Sequence, residues 1–269
     1  MAQYCKICNS ETKELLTEKV LKKYYVKYFQ CSSCKFIETE NPYWLEEAYS
    51  SAITDLDIGL ISRNLFYLPE VKKIINKFFS INNKFVDYGG GYGMFVRLMR
   101  DSGYDFYRQD LYCQNLFAKH FDICDLPQGT NYEMLTAFEV FEHLENPIEE
   151  IEKMLSYSDS ILFSTELHDD IPNPTPSTWW YYVPETGQHI SLFSKRSLEV
   201  LAERFKMNYY NHINIHLFTK KTIDKKAFDN VFKNKSSLRK IIDSFKKPES
   251  ILPSLLPRDF ELIKNKLLK

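Results

Sequence analysis

Three ionisable residues crowd the stretch 138–147, FEVFEHLENP: Glu139, Glu142 and His143. They sit in an otherwise apolar run that reads as the end of a buried strand. Two carboxylates and an imidazole are costly to desolvate unless something pairs with them. The stretch is therefore either a wet surface turn or the edge of a site that receives a positive group. A second chemistry-bearing pattern opens the chain. Cys5-Lys-Ile-Cys8 and Cys31-Ser-Ser-Cys34 are two CxxC knuckles with 22 residues between them. Each knuckle turns two thiolates toward one point, and two such pairs complete a tetrahedral S4 site for zinc. That spacing leaves no open coordination position, so the expected role is structural. A module of some forty residues has too little core to stand without such a staple.

A third pattern is KFVDYGGGYG, residues 84–93. Phe85 and Val86 end a strand, Asp87, Gly89, Gly91 and Gly93 form a glycine-rich turn, and MFVRLMRDSG continues as a helix closed by Gly103. Glycines let a ligand approach the backbone, and the helix start offers N–H groups. The pattern is D-x-G-x-G-x-G and not the G-x-G-x-x-G of dinucleotide enzymes. Asp87 would repel a pyrophosphate and welcome a cation, which favours a ligand with an amino acid part and a sulfonium. Asp110 ends the next strand, where it can accept hydrogen bonds from ribose hydroxyls.

These residues need a frame to hold them. Residues 43–80 carry helical periodicity and read as connecting helices. Strands are expected at 104–111, 132–138 and 159–166. Asn146-Pro147 with Glu149 starts a helix, Ser194 caps another, and 208–221 closes as a β-hairpin. Alternating strands and helices imply an α/β fold with a mostly parallel sheet. The divisions expected are a zinc-binding module at 1–42, connecting helices at 43–80, a ligand-binding core at 81–222 and a basic helical tail at 223–269.

Composition bounds the rest. The 269 residues are 44% hydrophobic and 26% charged, with a formal net charge of −1, so the chain has no global pull toward nucleic acid or membrane. The charge is uneven: from Thr219 onward fourteen Lys/Arg face six Asp/Glu. That tail is a solvated helical face, a dimerisation element or a grip for an anionic substrate. No run reaches the ~18 apolar residues of a membrane helix, and the start is no signal peptide, so a cytoplasmic protein is the default expectation.

VDYGGGYG, the acid at Asp110, and AFEVFEHLENP followed by ILFSTE together resemble a class I S-adenosylmethionine-dependent methyltransferase over about residues 70–220. The cysteine-rich front, with WLEEAY behind it, resembles the zinc-binding segment of bacterial sugar and surface-glycan methyltransferases. The resemblance implies a Rossmann-like, seven-stranded sheet with helices on both faces. It implies that Asp87 and Gly89 lie near the methionine part of the cofactor, with Gly91 and Gly93 in the same turn. Asp110 would bind the ribose, and Asp125, in Cys124-Asp125-Leu126, would lie beside the adenine. The 139–143 stretch then faces the acceptor, with Glu139 also near the cofactor.

In small-RNA 2′-O-methyltransferases and ubiquinone-pathway O-methyltransferases, a similar E-x-x-E-H with a distant His holds a divalent cation. Carried across, that set is Glu139, Glu142, His143 and His189, suited to Mg²⁺, Mn²⁺ or Zn²⁺. The metal-free alternative makes His143 or His189 the general base with Glu142 beside it. A purely structural role is the third.

Trp179, Trp180, Tyr181 and Tyr182 form either a lid over the acceptor or a packing surface against the zinc module. His168, His212 and His216 read as ordinary, partly buried histidines, and Cys113 and Cys124 as packing residues. The leading expectation is O-methylation of a small hydroxylated acceptor, a sugar, nucleotide-sugar or glycan precursor of polysaccharide biosynthesis. An oxygen on phosphate or phosphoramidate in such a pathway is a variant. The alternatives are sugar C-methylation, disfavoured by Gln188 where a Glu is usual before that His, RNA methylation, disfavoured by the net charge, and a non-catalytic binding module.

Overall fold

The structure, a computed structural model, describes residues 4–50, 54, 56–233 and 252–267. The expected basic tail is described in two pieces, and its stretch 234–251 lies outside these residues. The opening strands are β1 (Thr12–Val20), β2 (Tyr24–Cys31) and β3 (Ile37–Thr39), followed by α1 (Leu45–Ala48) and α2 (Leu60–Phe78). Then come β4 (Lys84–Tyr88), α3 (Met94–Asp101), β5 (Asp105–Gln109), β6 (Met134–Ala137), α4 (Pro147–Leu155) and β7 (Ser160–Ser164). The chain continues with β8 (Ser191–Leu192), α5 (Lys195–Arg204), β9 (Asn208–His212), β10 (Ile215–Thr219), α6 (Lys225–Phe232) and α7 (Leu256–Leu267).

The fold is α/β with a mixed central sheet in the order β5-β4-β6-β7-β10-β9. It has six strands among the described residues where seven were expected. β4 pairs β5 in parallel and β6 pairs β7 in parallel, whereas β10 runs antiparallel to both β7 and β9. β4 and β7 are buried along nearly their whole length on both faces, which is why no period-2 alternation marks them. A second sheet has the order β1-β2-β3-β8. Its last strand comes from far along the chain: Ile37 pairs Leu192 and Glu38 pairs Ser191.

The chain divides into two compact units, 1–58 with 135–222 and 59–134 with 223–269. In the first, Phe141 stacks on Phe163 with ring centroids 3.7 Å apart. A separate core there joins Val20, Val26, Tyr28, Ile37 and Trp44 to Tyr181, Tyr182, Ile190 and Leu192. In the second unit, α2 buries Tyr67, Val71, Ile74 and Ile75, the spacing of one helical face. Pro147 opens α4 as expected, although the Asn146 side chain makes no capping bond. The Ser194 hydroxyl does cap α5, accepting from Ser197 N–H.

Candidate functional site

Gly89, Gly91 and Gly93 all adopt positive φ, at 66°, 53° and 84°. This left-handed region is open to glycine and strained for other residues. Gly91 N–H donates to Asp110 Oδ2 at 2.9 Å, and Tyr112 and Cys113 N–H donate to Asp110 Oδ1 at 2.8 and 2.7 Å. The carboxylate thus ties the glycine turn to the end of β5; Oδ1 already accepts two bonds, and Oδ2, with one, keeps a lone pair for a further donor. No protein atom among the described residues lies within 4 Å of where a Gly91 Cβ would stand. Bare backbone therefore lies beside the Asp110 carboxylate. Asp87 is buried at the end of β4.

One residue of this turn escaped the sequence reading. Arg108 is buried, and its Nη1 donates to Gly91 O at 2.6 Å and Cys113 O at 3.0 Å, while its Nε donates to Asp122 Oδ1 at 2.7 Å. It clasps the glycine turn to the 3-10 turn at Ile123–Asp125. A lone basic residue inside a strand was the available signal, since a strand buried on both faces admits an Arg only when its donors are satisfied. Asp125 caps that 3-10 turn by accepting from Asp122 N–H at 3.0 Å. Cys124 is exposed and so is no packing residue, and Cys113 is half-buried.

In the first unit, the chain leaving β6 puts Glu139 at φ 55°. Glu139 N–H donates to Ser164 Oγ and Ser164 Oγ donates back to Glu139 Oε1, both at 2.8 Å. Phe141 then drops into the core, which turns the buried Glu142 and its neighbour His143 toward His189. One ligand atom from each of Glu142, His143 and His189 lies within 4.8 Å of the others. Glu139, the fourth residue expected in that set, lies outside that group of three, and its Oε1 accepts from Ser164 Oγ.

Both imidazoles are held through Nδ1. His189 Nδ1 lies 2.6 Å from Tyr181 O, and a carbonyl only accepts, so Nδ1 carries the proton. His143 Nδ1 lies 3.1 Å from Gln188 O and 3.0 Å from the Tyr49 hydroxyl. A single Nδ1–H satisfies both as acceptors. Each ring then has its lone pair on Nε2, the pattern of histidines that serve as metal ligands. Tyr181 is fully buried beside them, and burial, with the Glu142 and Glu139 carboxylates, pushes its phenol well above the usual value.

The four aromatics resolve mostly toward the second expectation. Trp179, Tyr181 and Tyr182 are buried in the core shared with β1–β3, and Trp180 alone is exposed. His168 and His216 are buried and hydrogen-bonded, to Lys35 O and to Thr165 O and Tyr209 respectively.

The cysteines converge. Cys5 and Cys34 sulfurs are 3.6 Å apart, Cys8 and Cys31 sulfurs 3.4 Å, and all four ligand atoms lie within 4.8 Å of one another. A disulfide needs about 2.05 Å, whereas a tetrahedral zinc with 2.3 Å bonds sets its sulfurs about 3.8 Å apart. The residues fit zinc.

A family model described as a methyltransferase domain matches residues 60–211, and the chain belongs to that family. It is a class I S-adenosylmethionine-dependent methyltransferase, and S-adenosylmethionine is its methyl donor. Among solved structures it is similar to the plantazolicin methyltransferase BpumL in complex with a monoazolic desmethylPZN analogue and SAH, at 15% identity and TM-score 0.44, over 76% of this chain and 88% of that one. It is also similar to the mitomycin 7-O-methyltransferase MmcR, at 14% identity and TM-score 0.38, over 66% and 68%. The methyltransferase domain of bacterial CtHen1 is similar at 18% identity and TM-score 0.37, over 57% and 97%. No curated protein matches the chain in sequence. No described helix is long and apolar enough to cross a membrane.

Proposed function

We propose that the protein transfers a methyl group to a hydroxyl of a small polar acceptor, a sugar or glycan precursor, with a divalent cation held by Glu142, His143 and His189. The observation that supports this reading is the shared pinning of both imidazoles. Each Nδ1 lies against a backbone carbonyl, which fixes the tautomer of both rings, and one ligand atom from each ring lies within 4.8 Å of a buried carboxylate oxygen. Two imidazoles and one carboxylate leave coordination positions open for acceptor oxygens.

A sugar hydroxyl is a poor nucleophile at neutral pH, and a cation bound to it supplies the missing acidity. The protein's own residues do the remainder. Asp87, the glycine turn and Asp110 hold the methyl donor, and His143 and His189 hold the acceptor hydroxyl. The structural zinc at Cys5, Cys8, Cys31 and Cys34 takes no part in the chemistry. Gln188 also favours O- over C-methylation. Its Nε2–H donates to Ala48 O at 2.8 Å, a bond that a carboxylate at this position could not make.

Calorimetric titration of the chelator-treated, zinc-retaining protein tests this, first with S-adenosylhomocysteine and then with Mg²⁺ or Mn²⁺. The expected result is a metal isotherm that Glu142→Gln weakens by about 10- to 100-fold. Cofactor binding with no metal isotherm overturns the cation and leaves His143 or His189 as the base.

A further inference from the structure

The strap 184–194, which carries His189, is fastened to residues 1–49 along its whole length. Leu21 N–H donates to Pro184 O at 2.9 Å, and Trp44 Nε1–H to Gly187 O at 2.8 Å. Gln188 Nε2–H donates to Ala48 O, Thr39 N–H to Ile190 O at 3.2 Å, and Ser194 Oγ–H to Cys34 O at 2.6 Å. Between these bonds, Ser191 and Leu192 pair with β3 as the fourth strand of its sheet.

The strap in turn fastens the other ligands. Ile190 N–H donates to Glu142 O at 2.9 Å, and Ser191 Oγ–H to Leu144 O at 2.5 Å. Residues 1–49 also reach this turn directly, through Lys6 Nζ to Glu145 O at 3.0 Å and through the Tyr49 hydroxyl to His143 Nδ1 at 3.0 Å. Packing follows the same route. A Cβ on Gly187 would stand 2.7 Å from Val20 and 3.2 Å from the Trp44 ring, at a φ of 67°. The strap has little regular structure of its own, since β8 is two residues long.

From this we infer that the cysteine-rich segment is the positioning scaffold of the acceptor cluster, and not a separate binding module. Trp44, Gln188 and Tyr49 are the positioning residues through which it sets His189 and His143. The inference deepens the reading of Glu142, His143 and His189 given above and rests on it for their role. Loss of the zinc staple would then release both histidines, because the strap hangs on β3 and on the Cys31–Cys34 knuckle.

The test compares zinc-loaded wild type with zinc-loaded Trp44→Phe, which keeps the aromatic body and removes the N–H to Gly187, and with Gln188→Met. Hydrogen exchange is followed at the Ile190 and Leu192 amides, and imidazole ¹⁵N shifts report the tautomer of His189. Exchange at those amides is expected to rise by about tenfold, with His189 moving from one tautomer to an average of two. Exchange at Val86 and Tyr107 and the affinity for S-adenosylhomocysteine should stay as in wild type. Unchanged exchange in both variants overturns the inference, and so does an equal rise at Val86 and Tyr107, which marks general destabilisation. A Mn²⁺ titration of wild type is run alongside. Absence of Mn²⁺ binding there sinks the cation reading alone, while the exchange result still decides the scaffold.

Discussion

The glycine turn and the histidine cluster are assembled over very different lengths of chain. Asp87, the glycines, Arg108, Asp110, Asp122 and Asp125 all fall between 87 and 125, and they bond chiefly to one another. The histidine cluster draws Glu142 and His143 from one turn, His189 from a strap 46 residues on, and Tyr49 from 94 residues before His143. Local loops close at modest entropic cost, and each further doubling of length adds only about 0.6 kcal/mol. A long-range site built on a strap with almost no secondary structure has no such local frame. It relies on a fourth strand, a shared aromatic core and the cysteine quartet. On the proposed reading, one short stretch carries the donor half, whereas the acceptor half depends on the scaffold around it.

Four experiments probe this contrast. The largest effect is expected from Cys34→Ser, which should abolish stoichiometric zinc by elemental analysis and melt the sheet of β1–β3 and β8. Structural zinc in small modules is worth about 10 kcal/mol or more of folding free energy. Binding of S-adenosylhomocysteine should survive, and its loss would erase the contrast.

Asp259→Asn comes next and asks how local the donor unit is. Asp259 Oδ2 and Oδ1 accept from Arg100 Nε and Nη2 at 2.8 and 2.9 Å, and both residues are buried. Arg100 keeps Asp105 and Phe106 O as partners, so weakening this one charged pair should cost about 1–3 kcal/mol, read as a drop in urea unfolding free energy. A negligible drop would mean that α7 adds nothing to this unit.

Arg108→Met should cost about 1–3 kcal/mol, because Asp122 and the Gly91 carbonyl lose a charged donor. That energy should appear as weaker S-adenosylhomocysteine binding with little change in zinc content. Equal affinity would remove Arg108 from the donor site.

The smallest effect at neutral pH belongs to His216. Burial lowers its pKa to about 4. The neutral ring fits its surroundings, with Nε2–H donating to Thr165 O at 3.0 Å and Nδ1 accepting from Tyr209 at 2.9 Å. The unfolded chain takes up this proton near pH 6.5 and the folded chain only near 4. Stability is therefore intact above about 6.5 and falls as pH drops toward 4, at up to about 1.4 kcal/mol per pH unit. His216→Gln should flatten that part of the pH–stability curve. An unchanged slope would place the proton elsewhere.

Much of the fold was legible. The 208–221 hairpin, the helix after Gly93 with Gly103 at its close and the Ser194 cap were read from turn and capping chemistry, which is local. Among the described residues the central sheet has six strands where seven were expected. Arg108 was passed over because its role depends on partners, Gly91 and Asp122, that only a folded loop brings to it. The aromatic run 179–182 could not be divided from sequence, since four neighbours in a row carry no periodicity. Burial separated Trp180 from the other three.

By itself the sequence determined the two short-range constructions: a thiolate quartet from duplicated spacing and a glycine turn between two carboxylates. Each is built from short local motifs, the CxxC knuckles and a strand–turn–helix, in which backbone geometry leaves few choices. Tertiary structure brings His189, on the strap, to Glu142 and His143, and it hydrogen-bonds Glu139 to Ser164 on the neighbouring strand. It also decided what the zinc segment is fastened to, since pairing between β3 and β8 is a choice of partner across some 150 residues that no local pattern encodes.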